Sequence, residues 1–88
     1  MPPKILLVDD DPLIHMLYRG HLEKAGYEMV AAHDGSEAVE IAALEQPSLI
    51  VMDIMMERMN GLAALRQLKK SQRTVAIPVL VITGCKLE

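Results

Sequence analysis

Four polar residues in this sequence stand directly after short apolar runs. Asp9 and Asp10 follow Ile5-Leu6-Leu7-Val8, Asp53 follows Leu49-Ile50-Val51-Met52, and Thr83 follows Val79-Leu80-Val81-Ile82. Short continuous apolar runs fit strands buried on both faces, as in parallel sheets covered by helices. Parallel strands bring their ends to one rim, and open parallel sheets bind their ligands there. Three carboxylates crowded at such a rim repel and raise one another's pKa unless a cation sits among them. An all-oxygen donor set favours a hard divalent ion, Mg2+ with several waters kept. A carboxylate beside Mg2+ can also attack phosphorus and form an acyl phosphate. The ion would offset charge on the transferring oxygens, and Thr83 could hydrogen-bond one of them. Acids at strand ends also serve as plain solvated groups or helix caps, and Asp11 reads as a cap. The coincidence of polar groups at three strand ends favours a site.

The elements that would hold these residues follow from pattern. After the first strand, Asp11 is a good N-cap and Pro12 suits a first helical turn. Leu13, Ile14, Leu17, Tyr18, Leu22 and Ala25 then form a helical stripe, with Gly26 as the C-cap. Tyr27-Glu28-Met29-Val30-Ala31-Ala32 alternates more than the first strand and suits a half-exposed edge strand. Asp34, with Glu37 three residues on, is a capping arrangement for a helix over 36–46, which Pro47 ends. The strand closing on Asp53 comes next, then a loop to Gly61. A helix over 61–72 places Leu62, Leu65 and Leu68 on one face. Arg66, Lys69, Lys70 and Arg73 lie towards its C-terminal end, where the helix dipole favours them; they read as a solvated face. Pro78 opens the last strand. The order is β-α-β-α-β-α-β, which implies parallel strands joined by right-handed crossovers.

Composition narrows the function classes. With 88 residues, 51% hydrophobic and 24% charged, the chain reads as one globular domain. The formal net charge is −3 with no basic block, which speaks against direct nucleic-acid binding. No apolar run approaches a membrane span, and no secretory signal fits before the first strand. The cytoplasm is therefore the expected location. The single Cys85 has no internal disulfide partner and reads as a small residue near a strand end. His15, His21 and His33 have no spacing that suggests a metal site.

Taken together, these motifs resemble the receiver domain of two-component response regulators. Ile5-Leu6-Leu7-Val8-Asp9-Asp10 matches the first strand and acidic pair. Asp53-x-x-Met56 with Met59-x-Gly61 matches the phosphoacceptor strand and loop, and Pro78 through Gly84 matches the strand that ends in a switch hydroxyl. Asp34-Gly35-x-Glu37-Ala38 is similar to the start of the family's second helix. The resemblance implies a flavodoxin-like, three-layer α/β fold with parallel strand order 2-1-3-4 and three helices. It implies that Asp53 accepts a phosphoryl group from a histidine kinase or phosphotransfer protein. Asp10 would ligate Mg2+ directly, with Asp9 acting through water, Asp53 as a ligand and the Met55 backbone carbonyl as a further one. Thr83 would follow the phosphoryl group and couple it to a surface change.

The sequence departs from the family pattern twice. Glu57 replaces a usual proline in the loop carrying Met56 and Gly61, removing a fixed φ and adding negative charge. The family's lysine before a fifth strand has no counterpart, because Lys86 stands too close to Thr83. Residues 1–88 are therefore expected to form a partial receiver domain without a fourth helix, fifth strand and fifth helix. The Val79–Ile82 strand would then be an apolar edge, of a kind natural proteins normally cover, and self-association through it is expected. The principal expectation is a signalling phosphoacceptor, not an enzyme. The alternative is a phosphotransfer-impaired fragment acting as a self-associating module. A true phosphotransfer enzyme is disfavoured because no second acid or base motif is present.

Overall fold

The computed structural model describes residues 2–53 and 61–82. Its elements are β1 (Lys4–Val8), α1 (Pro12–Lys24), β2 (Glu28–Ala32), α2 (Gly35–Glu45), β3 (Leu49–Asp53), α3 (Gly61–Lys70) and β4 (Val79–Ile82). They form one parallel sheet in the order β2-β1-β3-β4. Element types and strand order agree with the sequence reading; α3 stops two residues short of the predicted 72.

Strand alternation divides the core. Leu6, Val8, Ala32, Ile50 and Met52 pack with Ala38 and Ala42 of α2, Ala64 and Leu68 of α3, and Ile77. Three of the four helix residues in that cluster are alanines, so the helix backbones approach the sheet closely. Ile5, Leu7 and Met29 are also buried but lie outside this cluster, on the alternate positions of their strands. Helix α1 lies against β2.

The helix ends follow the sequence signals. The Asp11 side chain accepts the Leu13 N–H at 2.9 Å, and Asp34 accepts the Glu37 N–H at 2.8 Å, each satisfying an otherwise free first-turn donor. Gly26, one residue beyond the Ala25 cap, has φ +92°, a conformation that strains any residue with a Cβ. At the end of α2 the left-handed position falls on Gln46. Its side chain donates to Ala43 O at 3.0 Å and Arg73 O at 2.9 Å.

Three expectations change. The apolar residues of α1 do not all face the core: Leu13 and Leu17 are exposed, as is Met16. On α3, Leu68 is buried and Leu65 packs against the core as predicted, but Leu62 is exposed and Ala64 is buried, so the core face is turned slightly from the predicted stripe. The basic residues near its C-terminal end are not all merely solvated. Lys69 Nζ donates to Ile77 O at 2.9 Å and Val75 O at 3.2 Å, and Arg73 donates to Ala43 O at 2.8 Å. With buried Thr74, whose hydroxyl donates to Leu68 O at 2.6 Å, they satisfy carbonyls at the ends of α2 and α3 and in the segment leading into β4.

The position of the α3 core face is open to direct test. Leu68→Ala should lower the unfolding free energy by about 2–5 kcal/mol. Leu62→Ala should change it by less than about 0.5 kcal/mol. Equilibrium urea unfolding of both variants measures the difference; equal losses would mean that α3 presents a different face.

Candidate functional site

The rim of the sheet is built from β1 outward. Leu6, Leu7 and Val8 have no exposed surface, because β1 is paired on both edges and covered on both faces. The pairing extends one residue past the strand, where the Asp9 N–H donates to Ala32 O at 3.1 Å. Asp9 thus emerges from the core with its residue still 5% exposed. Its carboxylate Oδ1 accepts the Asp11 N–H at 2.8 Å. Asp10, next in the chain, is exposed.

The register places Asp53 level with the end of β1. Val8 pairs with Met52, and Asp53 is the next residue on β3 and is paired with Ile82 of β4. The three acids interact through their charges. Burial pushes the Asp9 carboxyl above the ordinary aspartate range, and the charges of Asp53 and Asp10 push it the same way. The Asp11 N–H, and more weakly the His15 imidazole, act against the rise. Asp9 is therefore a carboxyl whose charged form is held in unfavourable surroundings.

A second feature was not legible in the sequence. His15, on the first turns of α1, is buried, and its Nε2 lies 2.7 Å from the Asp9 carbonyl oxygen. A carbonyl only accepts, so Nε2 carries the proton. Among the described residues His15 Nδ1 is buried without a hydrogen-bond partner. The ring lies 4.7 Å from that of His33, at 41°, and His33 Nδ1 is 3.3 Å from Glu37 Oε1. The spacing of eighteen residues between the histidines gave no hint of this contact, which arises because β2 and α1 run side by side.

The structure thus brings together Asp9, Asp10 and Asp53. Thr83, Met55, Met56 and Glu57 lie outside the described residues, as do Cys85 and Lys86; Gly61 opens α3. Among the described residues, no three His, Cys, Asp or Glu side chains are gathered closely enough to hold a metal unaided. The donor chemistry nonetheless fits a hard divalent ion: carboxylate oxygens, mutual repulsion and a buried acid whose charge is penalised. Such an ion would need oxygens from the 54–60 segment or from water to complete its shell. Among the described residues, no helix is long and apolar enough to cross a membrane.

A parallel αβα sheet in this order, with acids meeting at the carboxyl rim, is the flavodoxin-like architecture of receiver modules. The chain belongs to the response regulator receiver domain family, whose profile matches residues 5–87. It is 41% identical over 82 residues to the DNA-binding dual master transcriptional regulator RpaA of Synechocystis, covering 93% of this chain and 34% of that protein. It is 41% identical over 80 residues to protein PilH of Pseudomonas aeruginosa, covering 91% of this chain and 66% of that protein. The chain thus spans about a third of the length of relatives such as RpaA. Among solved structures, the N-terminal domain of a response regulator receiver protein from Methanoculleus marisnigri superposes with TM-score 0.89 at 38% identity, over 98% of this chain and 70% of that one. The receiver domain of the sensor histidine kinase PA1611 from Pseudomonas aeruginosa, with a magnesium ion coordinated in its active-site cleft, gives TM-score 0.89 at 26% identity, over 100% and 72% of the chains.

The raised Asp9 pKa carries a pH signature. A carboxyl that binds its proton more tightly folded than unfolded makes stability fall as pH rises from the unfolded pKa through the folded one. Replacing it with a neutral isostere removes that loss while keeping the Oδ1 acceptor for Asp11. In chelator-containing buffer, Asp9→Asn should therefore be more stable than the parent at pH 7, and the gain should shrink as pH falls towards the ordinary aspartate pKa. Thermal unfolding across that range measures it; a pH-independent difference would place the cause elsewhere.

Proposed function

We propose that this chain is the phosphoacceptor part of a two-component signalling protein, in which Asp53 accepts a phosphoryl group. The observation that carries the reading is the strand register, which sets Asp53 level with Asp9 and Asp10 at one rim of the sheet, where the charges of Asp53 and Asp10 both act on Asp9. Asp53 ends β3 in a fixed register, and the parallel pairing keeps it level with the acidic pair.

A carboxylate oxygen of Asp53 would attack phosphorus in line with the bond to the donor. The new P–O bond forms as the P–N bond of a phosphohistidine breaks, and the imidazole leaves with the bonding pair and takes up a proton. The donor is a histidine kinase or phosphotransfer protein. Asp10 and Asp53 would hold Mg2+, with Asp9 acting through water and the Met55 carbonyl completing the protein's share. Bound Mg2+ would neutralise charge on the transferring oxygens. Thr83 would receive a phosphoryl oxygen and pass the change to the surface. The chain turns over no substrate beyond its own phosphorylation and dephosphorylation, and works in the cytoplasm without contacting nucleic acid.

A second reading has its own observation. Leu80 and Val81 of β4, the outer strand among the described residues, are exposed, and an uncovered apolar edge is a template for pairing with another chain. The chain would then act as a self-associating module with little phosphotransfer.

Two measurements separate these readings. Incubated with Mg2+ and acetyl phosphate, the chain should gain one phosphoryl group by intact mass, and Asp53→Asn should gain none. An unmodified parent at high donor concentration would favour the second reading. Sedimentation at tens of micromolar should show dimers or larger species that Val81→Lys shifts towards monomer. A monomeric parent would remove the self-association reading.

A further inference from the structure

Asp9 is held at its main-chain nitrogen by Ala32 O and at its carboxylate by the Asp11 N–H. Among the described residues its carbonyl is held by a side chain, the buried His15 Nε2 at 2.7 Å. That carbonyl belongs to the peptide plane joining Asp9 to Asp10. A change in the Asp9 ψ angle turns this plane about the Cα–C bond and displaces Asp10, and with it the direction in which the exposed Asp10 carboxylate projects. The acidic pair thus has a second anchor on α1, independent of the Asp11 turn.

We propose that His15 is a positioning residue for the acidic pair: its Nε2–H fixes the Asp9–Asp10 peptide plane and thereby sets the affinity of the rim for a divalent cation. The inference rests on the reading of Asp10 as a cation ligand. It adds a residue that touches neither the cation nor the phosphoryl group. The geometry requires one tautomer. Nε2 donates to a carbonyl, so in the neutral ring the proton is on Nε2 and the unpartnered Nδ1 is bare. The His33 ring, 4.7 Å away, packs against His15 and leaves the hydrogen bond to Asp9 untouched.

Outer groups that orient a ligand through one hydrogen bond are worth roughly tenfold or more in metal affinity. The variants separate the hydrogen bond from packing. His15→Gln can place an amide N–H near the position of Nε2, whereas His15→Asn carries its N–H too short to reach the Asp9 carbonyl. Mg2+ is the probe, with its affinity read by titration calorimetry and by the Asp10 amide resonance in two-dimensional NMR. Metal-free protein gives a second readout: the tautomer of His15 from its ring nitrogen shifts, and the position and exchange rate of the Asp10 amide.

The expected result is an Nε2–H tautomer, a loss of about tenfold in Mg2+ affinity for His15→Asn, and affinity within about twofold of the parent for His15→Gln, as expected when one donor replaces another. His33→Ala should bind Mg2+ like the parent. The metal-free Asp10 amide should shift in His15→Asn and not in His15→Gln. An Nδ1–H tautomer overturns the proposal, as does a folded His15→Asn with parental Mg2+ affinity and an unmoved Asp10 amide. If the parent binds no Mg2+, the cation reading of the rim fails, and the tautomer and Asp10 amide of the metal-free variants still decide whether His15 positions the pair.

Discussion

Parallel pairing on both edges of β1 forces the acidic rim into existence. A strand flanked by β2 and β3 and covered on both faces has nowhere to expose a side chain until it ends. Leu6, Leu7 and Val8 are fully buried for that reason. When the strand stops, the next residue emerges at the one place where neighbouring strands are also ending. Asp53 follows Met52, the partner of Val8, so the acids of two strands meet without any residue being selected to reach across. Side-chain contacts around the site refine this arrangement; the register creates it.

The same constraint makes the site electrostatically unfavourable when empty of countercharge. Asp9 is buried before it is charged, and burial is the largest influence on it, ahead of the charges of Asp53 and Asp10. One backbone N–H, from Asp11, offsets part of that. A neutral hydrogen bond is a modest contribution set against desolvating a carboxylate. The rim therefore favours whatever brings positive charge to it. A cation held at this rim would be favoured by the same repulsion that costs the metal-free fold stability.

Sequence reading recovered the framework because the framework is local. Apolar runs closed by Asp9 and Asp53, caps at Asp11 and Asp34, and the alternation of elements each signal within a few residues, and strand order followed from the family resemblance. What the sequence concealed depends on distant neighbours. On α3 the predicted stripe holds at Leu65 and Leu68 but not at Leu62, which looks like Leu68 in isolation, while Ala64 joins the core beside them. Lys69 and Arg73 looked like solvent-facing charges, yet they satisfy carbonyls of 77 and 43 that no periodicity connects to them. His15 was the largest omission. Its burial on a helix where Leu13 and Leu17 are exposed reverses the usual ranking of polar and apolar residues, and its partner is the backbone carbonyl of Asp9, one residue past the preceding strand.

The two faces of the sheet are unequally finished, and this bears on the site. On one face α2 and α3 pack closely over Val8, Ile50 and Met52, with small residues allowing the approach. On the other, Leu13, Met16 and Leu17 of α1 stay exposed, and Leu80 of β4, paired with Val51 of β3, is open as well. Asp53 sits where these conditions meet, on a strand buried towards β1 and paired on its far side with β4, the outer strand among the described residues. Covering apolar surface and neutralising acidic charge are separate physical events, but both act on β3.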